Sequence, residues 1–366
     1  MIKLNKILVC EFITGGGLCA EPLPTALVRE GALMRDALLS DLSALPYAVI
    51  TTVDARLAAP AHCLCVKVFP SDDIWQIWQT HLSEADAVFL IAPETDGLLH
   101  YLTQLAMLQP QGLSSHNSPN AAAYSSLNSK LVLGCGLDSI LTTSDKMATY
   151  LALKLANINT INTFTADYWI AHEAVIKENS EQISWLAKPD GGAGCEATVR
   201  FSDAEDLIDW LTQNKKLSSH IIQPFIAGTP ASISCIIFEG RAQLLSCNKQ
   251  LIEINNHTLS FKGVLINGMR EHWQAFEQIA NSIAKMFPSL AGYVGIDVIV
   301  QDNQIVPNQS LPNQILVVEV NPRLTTSYAG LRESIGVNPA ELIINTLTQP
   351  NYQWPRLQQN EVSIYV

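Results

Sequence analysis

Two apolar segments near residue 300 carry oxygen-bearing side chains at spacings that constrain how they fold. Glu319 and Asn321 lie two residues apart in the run Val317–Arg323, so on a β-strand both point to the same face. Asp297 lies in a second predicted strand, Tyr293–Val300. Two carboxylates and an amide oxygen are hard ligands of the kind that Mg²⁺ prefers. The pattern predicts a magnesium site at the edge of a sheet, although the same alternation also occurs on strands whose polar face meets water.

Composition sets the class of protein. A chain of 366 residues predicts two or three subdomains with a large core. Its 48% hydrophobic and 15% charged residues exclude a disordered or coiled-coil chain. The net charge of −12, with no offsetting Lys/Arg run, argues against sequence-independent nucleic-acid binding. Eight Cys without a CxxC pair or His–Cys spacing do not predict zinc. No apolar run has membrane-spanning length, so we expect a cytoplasmic protein without a membrane partner.

The first part of the chain alternates strands and helices, which predicts a Rossmann-like layer with a parallel sheet. The predicted strands are Lys6–Phe12, Tyr47–Thr52, Leu64–Val68 and Ala87–Ile91, and the predicted helices are Pro24–Leu42 and Asp72–Ser83. A segment rich in Ser, Asn and Gly, residues 111–129, predicts a linker.

The second part predicts an α+β fold with a largely antiparallel sheet. A helix follows Ser144 and Asp145, either of which suits its N-cap. Further predicted helices are Asp203–Leu211, Trp273–Met286 and Pro339–Thr346, and further predicted strands are Trp185–Lys188, Glu196–Phe201, His220–Phe225, Ser232–Phe238, Gln243–Lys249 and Thr258–Val264.

A lysine on a predicted strand precedes a glycine-rich hairpin. Lys188 leads into a turn that contains Gly191, Gly192 and Gly194, and such glycines let backbone N–H groups approach phosphate oxygens. The segment is not a Walker loop, because no GK[ST] follows it. Lys146, at a helix N-terminus, is unfavourable with the helix dipole unless an anion binds nearby. A simple hairpin and a solvated lysine are the alternatives.

Two further segments are candidate ligand contacts. Gln223, Pro224 and Ile226 end a strand, where the Pro224 carbonyl and the Ile226 amide can hold an adenine ring. Glu11 and the glycines Gly15, Gly16 and Gly17 follow the first strand but lack the GxGxxG dinucleotide fingerprint. An ordinary strand end and a plain tight turn are the alternatives.

Taken in order, Lys146, Lys188 with its glycines, the Gln223 hinge and the Asp297–Arg323 region resemble the ATP-grasp superfamily. The resemblance implies a Rossmann-like pre-ATP-grasp domain followed by a two-subdomain ATP-grasp fold, an α/β plus α+β architecture. The expected boundaries are 1–112 for the first domain, 113–143 for a linker and connecting strand, and 144–350 for the ATP-grasp domain. Within the latter, a lid subdomain covers about 160–225 and a metal-binding subdomain about 226–350.

The resemblance also implies roles for the candidate residues. Lys146, Lys188 and the glycine loop would contact the phosphates of ATP, and the Gln223–Ile226 hinge would hold adenine. Asp297, Glu319 and Asn321 would bind Mg²⁺, or Mn²⁺ in its place, and Arg323 would act with Lys188 in catalysis. Where many members carry a ribose-binding acid after the hinge glycine, this chain has Pro230, which leaves the ribose contacts open.

A narrower similarity concerns the tyramine–glutamate ligase branch of methanofuran-type cofactor biosynthesis, a part of one-carbon metabolism. It rests on residues 11–17, 92–96 and 144–146. It implies ATP-dependent amide formation between glutamate and tyramine or tyrosine through an acyl phosphate. Glu11, Gly15–Gly17 and Arg332 are the expected substrate anchors. The expected partners are small-molecule carboxylate and amine substrates, and a homodimer.

Three rival functions stay open from the sequence. The first is an ATP-grasp ligase for other amino acids or a purine-pathway carboxylate, which shares every ATP residue. The second is a non-catalytic nucleotide-binding regulator, which Pro230 favours and the metal-ligand set opposes. The third, a Rossmann-type oxidoreductase, is disfavoured by the missing fingerprint.

Overall fold

The computed structural model of the protein describes residues 4–108, 131–178, 184–191, 197–214, 217–255, 257–301, 305–306, 309–310, 314–349 and 351–366. They form a parallel five-stranded sheet, a largely antiparallel ten-stranded sheet and a small two-stranded ladder. The fold class predicted from the sequence is confirmed. Within these residues, no helix has the length and apolar character needed to cross a membrane.

The first sheet has the strand order β3-β2-β1-β4-β5, with all its neighbours parallel. Its central strand is fully buried at Ile7, Leu8 and Val9, as expected for a strand covered by helices on both faces. The strands are β1 (Lys6–Glu11), β2 (Ala48–Asp54), β3 (Leu64–Val68), β4 (Ala87–Ile91) and β5 (Leu131–Val132), and the helices are α1 (Thr25–Ser43), α2 (Ile74–Glu84) and α3 (Leu98–Met107).

The second sheet runs in the order β16-β13-β10-β11-β12-β8-β7-β9-β6, and β17 pairs with β12. Its strands are β6 (Phe164–Thr165), β7 (Trp185–Pro189), β8 (Val199–Phe201), β9 (His220–Pro224), β10 (Thr229–Phe238), β11 (Arg241–Asn255), β12 (Thr258–Ile266), β13 (Gly292–Val300), β16 (Ile315–Asn321) and β17 (Val362–Tyr365). The two-stranded ladder is β14 (Ile305–Val306) with β15 (Gln309–Ser310).

The helices of this part follow cap signals in the sequence. Asp145, one of the two predicted N-caps, accepts a hydrogen bond from the amide of Ala148 at 2.6 Å. Asp203 and Asn338 cap two further helices in the same way. The helices are α4 (Leu137–Thr143), α5 (Lys146–Leu155), α6 (Ala166–Ala171), α7 (Glu173–Glu178), α8 (Ala204–Gln213), α9 (Trp273–Met286), α10 (Leu331–Ile335) and α11 (Pro339–Thr348).

Several elements were not predicted from the sequence. They include the helices α3, α4, α6, α7 and α10 and the strands β6, β14, β15 and β17, and β11 extends well beyond the predicted Gln243–Lys249. Most are short, and tertiary contacts rather than local periodicity stabilise them. The strand β17 lies after residue 350, the predicted end of the second domain, and pairs with β12 of that domain. The predicted linker, 111–129, lies outside the described residues.

A compact apolar cluster underlies the region from β6 to β9. Trp169, Trp185 and Leu207 are almost fully buried there, and the two tryptophan rings pack edge to face with centroids 5.1 Å apart. The other two clusters each contain residues from both halves of the chain. The first sheet and the strands β10, β13 and β16 of the second sheet therefore share apolar cores, while the region from β6 to β9 has a core of its own.

Asp41 of α1 forms a polar junction between the two halves. Its carboxylate accepts a hydrogen bond from the Tyr328 hydroxyl at 2.9 Å and lies 3.3 Å from the Arg332 guanidinium. Its backbone carbonyl accepts a bond from the Asn338 amide at 2.8 Å. Because Asp41 is only 3% exposed, these contacts are the main compensation for burying its charge.

The Asp41 carboxyl makes the stability of this junction depend on pH. Burial raises its pKa from 3.8 to about 6, and Tyr328 and Arg332 offset that rise only in part. An acid with a higher pKa in the folded state binds protons on folding, so its ionisation costs stability. We expect Asp41 to contribute about 3 kcal/mol less to the free energy of unfolding above pH 6 than below pH 4.

Urea denaturation of the wild type and of Asp41→Asn between pH 3.5 and 7 measures this effect. The stability difference, wild type minus variant, should decrease as the pH rises through that window. A difference that stays constant would contradict the raised pKa.

Candidate active site

The predicted magnesium ligands lie together on two neighbouring strands. In the antiparallel pair β13–β16, Asp297 is directly opposite Glu319 and Gly295 is opposite Asn321. The Asn321 amide lies 3.4 Å from Asp297 Oδ2, and the Gln250 amide donates to Asp297 Oδ1 at 2.9 Å. The strand spacing therefore brings two carboxylates and an amide oxygen to one surface.

The two carboxylates differ in their affinity for protons. Burial, and then the negative charge of Glu319, raise the pKa of Asp297 well above its ordinary value. Burial alone would also raise the pKa of Glu319, but the charges of Lys146 and Lys188, the hydrogen bond with Asp297 and the charge of Arg323 together outweigh it, so that the pKa is lowered. Like charges directly opposite on a sheet repel, so a cation bound between them would relieve a cost of the fold.

Lys146 contacts both β16 and the start of the glycine loop. Its ammonium lies 4.0 Å from Glu319 Oε2 and donates to the backbone carbonyl of Asp190 at 3.1 Å. The Asp190 carboxylate in turn accepts the amides of Lys146 and Met147, the first residues of α5. The end of β7, which carries Lys188, is thus fixed against the N-terminus of α5 and beside Glu319.

Arg323 follows β16 and pairs with an acid in the turn after β4. Its Nη2 lies 2.8 Å from Glu94 Oε2, and its Nη1 donates to the Leu324 carbonyl at 3.1 Å. Burial alone would lower the pKa of Arg323, but the charge of Glu94 and the hydrogen bond to it raise it. The guanidinium therefore stays charged where it reaches the cavity described next.

A cavity of about 350 Å³ contains most of the predicted nucleotide and metal residues. The metal-ligand candidates and Arg323 line it together with apolar side chains from the strand end after β9 and from β11 and β12. The predicted residues that line it are Lys188, Gln223, Pro224, Ile226, Asp297, Glu319, Asn321 and Arg323. Its volume lies in the ordinary range of small-molecule sites.

The apolar part of the cavity has the features expected of a purine pocket. Leu186, Ile252 and Phe261 line it beside the hinge. The Gln223 side chain is buried and donates to Thr163 at 2.8 Å. In the part of the chain that the structure describes, the Ile226 amide makes no hydrogen bond. Pro230 also lines the cavity, so apolar surface occupies the position where an acid would contact ribose.

The predicted substrate anchors lie elsewhere. Glu11 is 2% exposed, and its carboxylate accepts the amides of Ile13 and Thr14, as well as the Thr14 hydroxyl, within its own turn. Gly15, Gly16 and Gly17 form that turn, a single π-helical one, against Thr52, Val68 and Phe12. Arg332 pairs with Asp41. None of these five residues lines the cavity.

The glycine loop is described only at its start. Gly191 lies beside the first half of the chain, with the Cα of Thr95 4.0 Å from the position that a Cβ on it would occupy. Gly192 and Gly194 lie outside the described residues. Their predicted contact with phosphate stays a prediction.

The cavity residues that reasoning from the sequence missed include three from α1 and β11. Glu30 and Met34 are one helical turn apart on α1, and Gln250 lies on β11 beside Asp297. An i, i+4 spacing on a helix next to the first glycines was the available signal for Glu30 and Met34. The cavity is therefore walled partly by the first half of the chain.

Comparison with protein families matches two parts of the chain. A family model of the ATP-grasp domain matches residues 143–327, which is half of the sequence. A second model, the pre ATP-grasp 3 domain, matches residues 47–117. The first match includes all the residues at the metal strands and the hinge.

Two curated relatives are tyramine–L-glutamate ligases. Those of Methanocaldococcus fervens and Methanocaldococcus jannaschii are each 27% identical over 259 residues, or 71% of this chain. The matched region covers 65% and 62% of their lengths, so less than two thirds of either relative is matched. Among solved structures, an ATP-grasp superfamily protein from Archaeoglobus fulgidus is similar with a TM-score of 0.64 at 19% identity, covering 98% of this chain and 99% of that one.

The position of Lys188 beside Glu319 generates a test of nucleotide binding. Charge-assisted hydrogen bonds contribute about 1.5–3 kcal/mol, so we expect Lys188→Ala to weaken ATP binding at least about tenfold. Isothermal titration with Mg²⁺ and a non-hydrolysable ATP analogue measures the affinity. Lys6→Ala is the matched control, because Lys6 pairs with Glu84 at 2.8 Å and neither residue lines the cavity. Equal affinity of the wild type and Lys188→Ala would exclude a phosphate contact for Lys188.

Proposed function

Because this chain belongs to the ATP-grasp family, we propose that it is an ATP-dependent carboxylate–amine ligase that joins the side-chain carboxylate of L-glutamate to tyramine or tyrosine. The family match covers residues 143–327. The glutamate and amine substrates are suggested by the names of the two curated relatives. A role in methanofuran-type cofactor biosynthesis is part of the same proposal.

One observation supports the proposal above the others. The pair Asp297 and Glu319 and the buried Arg323 line one cavity, and apolar side chains line the same cavity. A nucleotide that places adenine at the apolar hinge would direct its phosphates toward the acids and Arg323. The remaining space, walled by Glu30 and Met34, is then left for the carboxylate and the amine.

The donor set suits magnesium. In the described part of the chain, no three His, Cys, Asp or Glu side chains converge as a metal cluster. Asp297, Glu319 and Asn321 supply two carboxylates and one amide, and Mg²⁺ is usually held by one or two carboxylates together with substrate phosphates. When bound, Mg²⁺ neutralises charge on the phosphate oxygens.

The reaction that we propose has two steps. An oxygen of the glutamate side-chain carboxylate attacks the γ-phosphorus of ATP, the bond to the β–γ bridging oxygen breaks, and ADP leaves. The amine nitrogen then attacks the acyl phosphate carbonyl, inorganic phosphate leaves, and the nitrogen loses a proton. The protein contributes positioning and charge, as in other phosphoryl transfers.

The cationic residues have distinct parts in this chemistry. Lys188, at the end of β7, would hold the ATP phosphates, and Lys146 keeps Glu319 ionised from the other side. Arg323 would donate to the transferring phosphoryl group and to the acyl phosphate, where negative charge develops. No nucleophilic side chain is required.

A second candidate function is an ATP-grasp ligase for a different pair of amino-acid substrates. The observation that favours it is that Glu30 and Met34, which are not among the expected substrate anchors, line the cavity. This function would use the same nucleotide and metal residues.

We expect the purified protein to release ADP with ATP, Mg²⁺ and L-glutamate only when tyramine or tyrosine is added. Mass spectrometry of the products should show a γ-glutamyl amide of the amine. Release of ADP with other amino-acid pairs, and no such amide, would contradict the glutamate substrate but keep the ligase. Nucleotide binding without any ADP release would indicate a nucleotide-binding regulator that does not catalyse a reaction.

We also expect Glu319→Gln to lower kcat by at least about a hundredfold, because the isostere keeps the strand but removes charge at the cation. The melting temperature should change little. Glu253→Gln is the control, since that acid is exposed and lies on a strand of the same sheet. Turnover near that of the wild type would exclude Glu319 as a ligand.

A further inference from the structure

We propose that Glu94 is a positioning residue that fixes the direction in which Arg323 donates to the reacting phosphoryl group. The inference rests on the proposed function, because it assigns Arg323 to that group. Glu94 belongs to the first half of the chain, so the proposal makes the pre-ATP-grasp half a contributor to the chemistry.

The contacts of Arg323 hold its guanidinium at two corners. Nη2 lies 2.8 Å from Glu94 Oε2, and Nη1 donates to the carbonyl of Leu324 at 3.1 Å. The side chains of Arg323 and Glu94 are only 9% and 6% exposed. Because guanidinium is planar, fixing two nitrogens also fixes the direction of the remaining N–H bonds.

The backbone around Glu94 is itself restrained. It follows β4, and Pro93 immediately before it has a fixed φ. The carbonyl of Glu94 accepts the amide of Gly97 at 3.1 Å, and the carbonyl of Pro93 accepts that of Leu99 at 3.2 Å. Glu94 therefore presents its carboxylate from a tight turn at the carboxyl end of the parallel sheet, where ligand sites of such sheets form.

The pair leaves one polar atom on each partner without a bond. Within the described residues, Glu94 Oε1 and Arg323 Nε are buried and make no hydrogen bond. A pair built only for stability would use both edges in a two-bonded fork. Here Glu94 accepts one bond and the Leu324 carbonyl accepts a second, and the guanidinium keeps N–H donors for another acceptor.

This arrangement has a kinetic signature. A donor aimed at charge that develops during the reaction stabilises the transition state more than bound ATP. Loss of Glu94 should therefore lower kcat and leave nucleotide affinity nearly unchanged. If Glu94 instead held Arg323 away from the phosphoryl group, its loss would raise kcat or leave it unchanged.

The experiment compares Glu94→Gln, Glu94→Ala, Arg323→Lys and the double variant Glu94→Gln/Arg323→Lys in the full chain at pH 7.5. We expect kcat to fall about tenfold in Glu94→Gln and about a hundredfold in Glu94→Ala, with the affinity for the ATP analogue changed less than about threefold. The double variant should lose no more activity than Arg323→Lys alone, because the two residues act as one unit.

Asp41→Asn is the matched control. It removes a different ion pair between the same two halves of the chain, and Asp41 does not line the cavity. We expect it to leave kcat at 25 °C unchanged. Any one of three results would overturn the proposal. These are an unchanged or raised kcat in both Glu94 variants, a loss in the double variant equal to the product of the two single losses, and a loss of kcat in Asp41→Asn as large as in the Glu94 variants.

A spectroscopic measurement separates this inference from the proposed function. In the ¹⁵N-arginine spectrum, the Nη2 group that Arg323 donates to Glu94 should give an N–H signal that exchanges slowly with water. That signal should be absent in Arg323→Lys, exchange at least about tenfold faster in Glu94→Gln, and persist in Asp41→Asn. A wild type that forms no amide but shows this pattern would reject the proposed substrates and keep Glu94 as the residue that orients Arg323. An Arg323 signal unaffected by Glu94→Gln would overturn the inference whatever the activity.

Discussion

The antiparallel register of β13 and β16 places two carboxylates opposite each other, and the rest of the site follows from that pairing. Alone, the juxtaposition of Asp297 and Glu319 would be unfavourable. Lys146 and Lys188 keep Glu319 ionised, while the Gln250 amide donates to Asp297. The strand positions thus place two carboxylates side by side, and under the proposed function a cation and a polyphosphate would bind there.

Sequence reasoning succeeded where local rules decide the outcome. Strands such as Ala87–Ile91 and the helix Trp273–Met286 follow apolar periodicity, and the structure has them at the predicted residues. The alternation of a strand likewise put Glu319 and Asn321 on one face. These properties depend on neighbours within a few residues, so one sequence contains the information.

It could not supply the pairing of residues that are distant in the chain. The Glu11 carboxylate is bound by the turn after β1 and Arg332 pairs with Asp41, and their role as substrate anchors stays a prediction. Glu94 and Arg323 are separated by 229 positions, and no local pattern predicts that they pair. Such partnerships depend on how the two halves pack, which periodicity and turn chemistry do not specify.

The junction at Asp41 limits how this protein can be recombined with its relatives. Asp41 receives hydrogen bonds from Tyr328 and Asn338, which lie before and after α10. In a chimera that joins the first half of this protein to the second half of a relative, the buried Asp41 would meet the relative's side chains instead. A workable exchange would have to carry Asp41 together with Tyr328, Arg332 and Asn338. The set of residues that must be exchanged together therefore crosses the boundary between the two halves of the chain.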